Sequence, residues 1–358
     1  MVTVFGKPST RRSDRSPARP LSQERVFCCL APLSRKLTPL LAALFALLLF
    51  VQPVFAQQPA TPVVDTAALQ RAVDWLVSQE ADDGGYIGFS GESDAGATVD
   101  AVLALAAARE AGIDVDFEPA LDFLYAEDHA LVYAQTGAGQ AAKLVMVVVA
   151  AGGDPRDVAG VDPLSLAMVV NDDTGFYGSG AFDHSLAMIA IAAAGEEVPD
   201  EAVSRLVDAQ QDNGSWAFDG SELEGSGDSN STAIAIQAMA AAGEGRGRDV
   251  QQALDWLKSV QDAGGGFTYQ PTDGAAPDAN SSGIVVQALI AAVQDPSSGE
   301  WKNAMGALLA FQNESGAFRY MDDPPDDNLF ATVQAIPAVA GVAFPVIADS
   351  GIATPIAA

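Results

Sequence analysis

Gln210-Gln-Asp-Asn-Gly-Ser-Trp216, followed by Ser229-Asn-Ser-Thr-Ala-Ile-Ala-Ile-Gln-Ala-Met-Ala-Ala-Ala-Gly243, decides the fold because its pattern returns along the chain. The loop reads as a polar residue, three others, a glycine, one more residue and an aromatic. Its copies are Glu80/Gly84/Tyr86, Gln261/Gly265/Phe267 and Gln312/Gly316/Phe318, with a further one at Asn171/Gly175/Tyr177. Glycine permits the positive φ that ends a helix, and the aromatic can fold back over the turn. Gln210, Gln261 and Gln312 stand 51 residues apart, the length of a helical hairpin with its loops.

A second marker precedes the loops. Ala72-Val-Asp74-Trp75-Leu76 returns as Ala120-Leu-Asp122-Phe123-Leu124 and Ala253-Leu-Asp255-Trp256-Leu257, and more loosely at Ala202–Leu206 and Ala304–Leu308. Apolar residues at i, i+3 and i+4 make each an amphipathic helix. The marker fades before Asn171, and the repeat around residues 120–150 keeps its helix but lacks the aromatic loop. Each loop leads into an Ala-rich helix, expected over 97–111, 137–151, 183–194, 230–242, 280–293 and 328–341. Asp228, Asn230, Asp278, Asn280 and Asn328 stand where caps belong, since short polar side chains satisfy the free amides of a first helical turn. Beyond the caps these helices are apolar on nearly all sides, which predicts burial. The first and last repeats are as apolar as the middle ones, whereas an open solenoid shows polar capping repeats. The expected fold is therefore all-α, a closed (α/α)6 toroid of inner and outer helix rings over residues 66–342. A linker over 57–65 precedes it, and an irregular apolar tail, 343–358, lies against the ring.

Residues 1–56 read as a secretory signal. A basic stretch that includes Arg11, Arg12, Arg35 and Lys36 leads to the apolar run Leu40–Phe50 and to Val54-Phe55-Ala56. The run is shorter than the roughly 18–20 residues of a membrane-spanning helix, so cleavage after Ala56 is expected rather than a stable span. This segment holds eight of the 18 Lys/Arg and two of the 47 Asp/Glu, so a net charge of −29 becomes −35 on cleavage. Both cysteines, Cys28 and Cys29, leave with it, and with them any thiolate nucleophile or zinc ligand. So acidic a chain offers no basic patch to nucleic acid.

The loop signature at 210–216 and 312–318 resembles the QW-type repeat of squalene-hopene cyclases and protein prenyltransferase β subunits. The following helices, as at 229–243, resemble secreted bacterial prenyltransferase/squalene-oxidase repeat proteins. These in turn are similar to the α-domain of the vitamin B12 carriers, intrinsic factor and transcobalamin. The resemblance covers about residues 66–342, and the fold hosts several unrelated functions. It implies chemistry whose residues are missing here. The cyclases' Asp-x-Asp-Asp acid motif has no copy; Asn171-Asp-Asp173 starts with the wrong residue. The prenyltransferase zinc site needs a Cys, and His129 and His184 are the only histidines. Asp322-Asp-Pro-Pro-Asp326 spells the Asp-Asp-x-x-Asp motif of class I terpene synthases. Its prolines make it a loop, read as an acidic turn before the sixth inner helix or as a calcium loop holding Asp322, Asp323 and Asp326.

Candidate ligand residues fall in two groups. Asp100, Gln237, Gln287 and Gln334 interrupt apolar inner helices. A buried amide or carboxyl must be hydrogen-bonded, so these either link neighbouring helices or face a wet central cavity. Tyr177, Trp216, Phe267 and Phe318 lie at the level of the mouth, where they pack between hairpins or meet a ligand. The likeness to B12 carriers implies His184 as a cobalt ligand; a lone His beside Asp183 at a helix start is more often a capping or surface residue. The function expected is a secreted, non-catalytic toroid without cofactor. Its partner is a small apolar or corrinoid-like ligand, bulky and partly apolar, or an extracellular protein. An atypical terpenoid cyclase or prenyltransferase-like enzyme, with Asp100 as its acid, is the alternative.

Overall fold

The computed structural model describes residues 64–346 except 224 and 273. The expected leader, most of the linker and the tail beyond 346 lie outside the described residues. Amphipathic α1 (Thr66–Val77) buries Leu69, Ala72, Val73 and Leu76, and Asp65 caps it by accepting from the Ala68 N–H at 3.0 Å. A short hairpin of β1 (Tyr86–Ile87) and β2 (Ser93–Asp94) pairs Tyr86 with Asp94 and leads into α2 (Ala95–Glu110). The chain continues through α3 (Glu118–Tyr125), α4 (His129–Ala134), α5 (Ala138–Ala150) and α6 (Pro163–Ala167). It is completed by α7 (Ala181–Ala193), α8 (Asp200–Asp208), α9 (Ser229–Ala241), α10 (Arg248–Val260), α11 (Ala279–Ala291), α12 (Ala304–Leu309) and α13 (Leu329–Val339).

Six of these, α2, α5, α7, α9, α11 and α13, are the Ala-rich helices, and each packs on the next; α13 then packs on α2. The inner ring is thus closed, as the apolar first and last repeats predict. Caps at Asp228, Asp278 and Asn328 accept from Ser231, Ser281 and Ala331 N–H at 2.7, 2.7 and 2.9 Å. Two repeats depart from the pattern. The faded third marker is the five-residue α6, capped by Asp162, and α4 stands in the second repeat where the aromatic loop is missing. Among the described residues no helix is long and apolar enough to cross a membrane.

The loop glutamines join one repeat to the next. Gln210 Nε2 donates to Gly214 O in its own loop and to Asp249 O in the following repeat, at 2.9 and 2.8 Å. Gln261 does the same to Gly265 O and Trp301 O. Gln312 donates to Gly316 O at 3.0 Å and to Ala68 O at 2.8 Å, which ties the last repeat to the first. The glycine is needed for that contact. Gly316 has φ +99° and a Cβ there would sit 2.2 Å from the Arg71 carbonyl oxygen.

The loop aromatics Tyr86, Trp216, Phe267 and Phe318 are buried in the wall between hairpins, at 0–1% exposure. Burying each is worth about 4–6 kcal/mol on area alone. Their backbone N–H groups donate to the fourth residue of the following inner helix: to Thr98, Thr232 and Thr332 Oγ1 and to Ser282 Oγ, at 2.9–3.0 Å. His184 occupies that position in α7. Its Nδ1 accepts from Tyr177 N–H at 2.9 Å and its Nε2 donates to Ala202 O at 2.9 Å. The loopless repeat has Ala141 there, having no N–H to satisfy. Burial chiefly, then the nearby Arg205, pulls the His184 pKa below its ordinary value, against the bond to Ala202.

Two predictions follow from the wall. Gln312→Ala removes the bonds across the seam and should lower stability by about 1–3 kcal/mol, read as a shift in the urea midpoint. A wild-type midpoint would mean that the seam does not hold the ring. His184→Thr copies the other repeats and should be less stable at pH 8. Because the folded state resists protonating His184, wild type loses that part of its stability as pH falls below about 6.5. The Tm gap between the two should therefore narrow from pH 7.5 to 5.5; a constant gap contradicts a neutral buried imidazole.

Candidate functional site

All six inner helices begin on one face of the ring, and their second residues surround its mouth. Four of these, Phe182, Asn230, Asn280 and Phe330, are half-buried and lie on consecutive helices α7, α9, α11 and α13. Above them runs an outer tier of aromatics. Phe218 O accepts from Phe182 N–H at 3.2 Å, Tyr269 O from Ser229 N–H at 3.0 Å and Tyr320 O from Ala279 N–H at 3.0 Å. These bonds hang each loop over the start of the preceding helix. Phe218, Tyr269 and Tyr320 remain 48%, 39% and 40% exposed. Phe218 stacks on Phe182 with centroids 5.3 Å apart, and Phe89 of the first hairpin stacks on Phe330 at 4.2 Å. Burial raises the phenol pKa of Tyr269 and Tyr320, helped by Asp228 and Asp219 for the first and Asp278 for the second.

The opposite half of the mouth is charged. Lys143 on α5 donates to Asp100 on α2 at 2.7 Å, and their side chains keep 25% and 18% of their accessible surface. Burial alone would depress the Lys143 pKa, but the Asp100 carboxylate, with Tyr133, outweighs it and holds the value above the ordinary one. Tyr133 comes from α4, the element that replaces the missing loop, and its own pKa is pushed up to about 12, mainly by burial. A Cβ on Gly96, the second residue of α2, would touch the Tyr133 ring at 3.3 Å, which places that ring beside the mouth.

Below the mouth the lumen closes. At the sixth helix position Leu186, Ile234 and Ile284 follow Asp100 and Lys143 around the ring, at 4%, 1% and 9% exposure. Beneath them is a cavity of about 20 Å³, lined by Asp100, Lys143, Met146, Gln287, Gln334 and Phe344 among others. That is room for about one water. Phe344 belongs to the tail. Its N–H donates to Gln237 Oε1 at 3.0 Å and Val346 is buried, so the described start of the tail packs against the inner helices beside this cavity.

The sequence candidates therefore separate. Asp100 and Gln334 stand at the sixth position of their helices, whereas Gln237 and Gln287 lie one turn deeper, so the four do not form one level. Gln287 Nε2 donates to Gln334 O at 3.1 Å, a link between neighbouring helices. Tyr177, Trp216, Phe267 and Phe318 belong to the wall and not to the mouth, because their N–H bonds draw them behind the inner helices. His184 is neither a surface residue nor free for a metal, since both ring nitrogens are bonded inside the wall. Asp322 is exposed and held by Arg319 at 2.7 Å, and Asp323 and Asp326 are exposed too. Among the described residues, no three His, Cys, Asp or Glu gather as a metal site. What sequence reading missed is the outer tier. Its signal is a second aromatic two residues beyond the first, in Trp216-Ala-Phe218, Phe267-Thr-Tyr269 and Phe318-Arg-Tyr320.

The architecture has known counterparts. An inactive α-1,6-mannanase variant from Salegentibacter sp. HEL1_6, in complex with α-1,6-mannotriose, aligns at TM-score 0.54 and 10% identity, covering 77% of this chain and 98% of its own. The type II terpene cyclase MstE from Scytonema, as a variant in complex with geranylgeranyl dihydroxybenzoate, aligns at 0.52 and 16% identity, covering 77% and 96%. Haptocorrin in complex with Cbi aligns at 0.50 and 14% identity, covering 79% and 68%. Identities this low speak for the fold alone. No curated protein matches the chain. Residues 42–144 and 232–340, together more than half of the sequence, match the model of the prenyltransferase alpha-alpha toroid domain, and the chain belongs to that family.

Proposed function

We propose that this protein is an exported, non-catalytic receptor that binds a bulky, partly apolar ligand, isoprenoid- or corrinoid-like, or else a protein partner, at the mouth of its ring. The observation that carries the reading is the closed lumen. A cavity of about 20 Å³ cannot enclose a molecule larger than water, while the mouth above it presents exposed aromatic faces. A ligand is held on the rim, not swallowed. Two solved toroids carry geranylgeranyl and Cbi ligands, which makes these two classes the natural first probes.

The enzyme alternative requires an acid facing the substrate. At the sixth position of the inner helices Asp100 is the one carboxylate among the described residues, and Lys143 donates to its Oδ1 at 2.7 Å. That geometry commits the carboxylate to an ion pair. Export rests on the basic and apolar leader, and it separates the protein from mainly cytoplasmic isoprenoid diphosphates.

Expressed with its leader in a secreting host, the protein should be recovered from the medium or periplasm with Gln57 at its N-terminus. Native mass spectrometry with geranylgeraniol and with cobinamide should show a mass increase for at least one, lost in a Phe218→Ala/Tyr269→Ala variant. No increase with either would remove the isoprenoid and corrinoid readings. Asp100→Asn tests catalysis separately. It should cost about 1–3 kcal/mol by stranding Lys143. Turnover by wild type that Asp100→Asn abolishes would establish the enzyme instead.

A further inference from the structure

We propose that the aromatic half of the mouth is a tandem saccharide site, in which Tyr269 with Asn230 and Tyr320 with Asn280 form two like subsites for a linear oligosaccharide. The inference rests on the mouth being the ligand site and names the ligand class it favours. Each subsite has the same build. A tyrosine about two-fifths exposed hangs by its carbonyl from the first N–H of an inner helix, and the next residue of that helix is an asparagine. Neighbouring inner helices pack roughly 8–10 Å apart, so the subsites repeat at about that interval along the rim.

The amides are the telling part. Asn230 Oδ1 and Asn280 Oδ1 are enclosed and have no hydrogen-bond partner. Neither asparagine caps its helix; that role belongs to Asp228 and Asp278. Nothing in the wall holds these oxygens, and both asparagines are half-buried at the second position of their helices. An isoprenoid chain would cover the tyrosines yet bring no donor to the amides. A sugar ring supplies both, an apolar face for the phenol and hydroxyl donors for the amide oxygen. The copies also mark where repetition ends. In α7 the second residue is Phe182, stacked on Phe218, and in α13 it is Phe330, stacked on Phe89, so an aromatic pair bounds the two subsites on either side. A ligand with a repeating unit fits two equal sites between two walls.

The test is isothermal titration calorimetry of the secreted full-length product with α-1,6-mannotriose, cellotriose and maltotriose, beside the corresponding monosaccharides. At least one trisaccharide should bind, about 10-fold or more tighter than its monosaccharide, since two subsites act together. Tyr269→Ala and Tyr320→Ala should each weaken it about 10-fold, while Tyr→Phe at either position keeps most of the affinity. Asn230→Ala and Asn280→Ala should weaken it without lowering Tm. Binding that survives both tyrosine-to-alanine changes, or no binding of any trisaccharide, overturns the proposal. In the second case geranylgeraniol or cobinamide binding that the same variants abolish keeps the mouth as the site and rejects only the sugar. Failure of every probe rejects both.

Discussion

The amide of Gln312, donating at once to its own loop and to the Ala68 carbonyl at the start of α1, closes a chain of hairpins into a ring. Everything else about the molecule depends on that seam. A ring has no terminal repeats, so no hairpin must present a polar outer face. The same bond drawn at Gln210 and Gln261 sets the distance between successive outer helices, and glycine provides the clearance. In a closed ring the inner helices run parallel, so all their N-termini, with their partial positive charge, fall on one face. Asp94, Asp228, Asp278 and Asn328 cap four of them there. A mouth with distinct chemistry is a consequence of closure.

The width of the lumen follows from the inner helices' composition. Alanine and glycine at helix contacts let backbones approach closely. A Cβ added at Gly283 on α11 would lie 2.8 Å from the Gln334 carbonyl on α13. Six helices drawn this close leave little space on the axis, and Leu186, Ile234, Ile284 and Met146 fill most of it. The residual polar groups pair in part, Lys143 with Asp100, Gln287 Nε2 with Gln334 O, and Gln237 Oε1 with Phe344 N–H, while Gln237 Nε2 and Gln287 Oε1 have no partner. Solved toroids of similar shape carry a geranylgeranyl compound or a trisaccharide, which shows how little the fold dictates about its cargo.

The ring was legible because its determinants repeat. Helix periodicity, the glycine that must adopt positive φ and the glutamine four residues before it recur in register, and repetition turns a weak motif into a strong one. The two irregular places, α4 and α6, are where a local helix of five or six residues replaces a marker, and short helices carry too few periods to be read. Site residues were harder because a sequence shows polarity without direction. His184 looks like a metal ligand until the Thr98, Thr232, Ser282 and Thr332 bonds show that the fourth inner-helix position always receives an aromatic's N–H. Trp216 looks like a mouth residue until that same bond pulls it into the wall.

Repetition also separates what the wall needs from what it does not. Wall residues repeat: each loop aromatic's backbone N–H has its acceptor and each loop Gln Nε2 has two carbonyls, while Tyr86 Oη, Gln261 Oε1 and Trp301 Nε1 are left without partners there. The mouth residues repeat only partway round. Asn230 and Asn280 are alike and unsatisfied, Phe182 and Phe330 replace them on either side, and across the ring the second residue of α2 is Gly96, beneath Tyr133. An unsatisfied group costs stability wherever it is buried; at Asn230 and Asn280, beside an aromatic rim, a partner that arrives from outside would recover that cost.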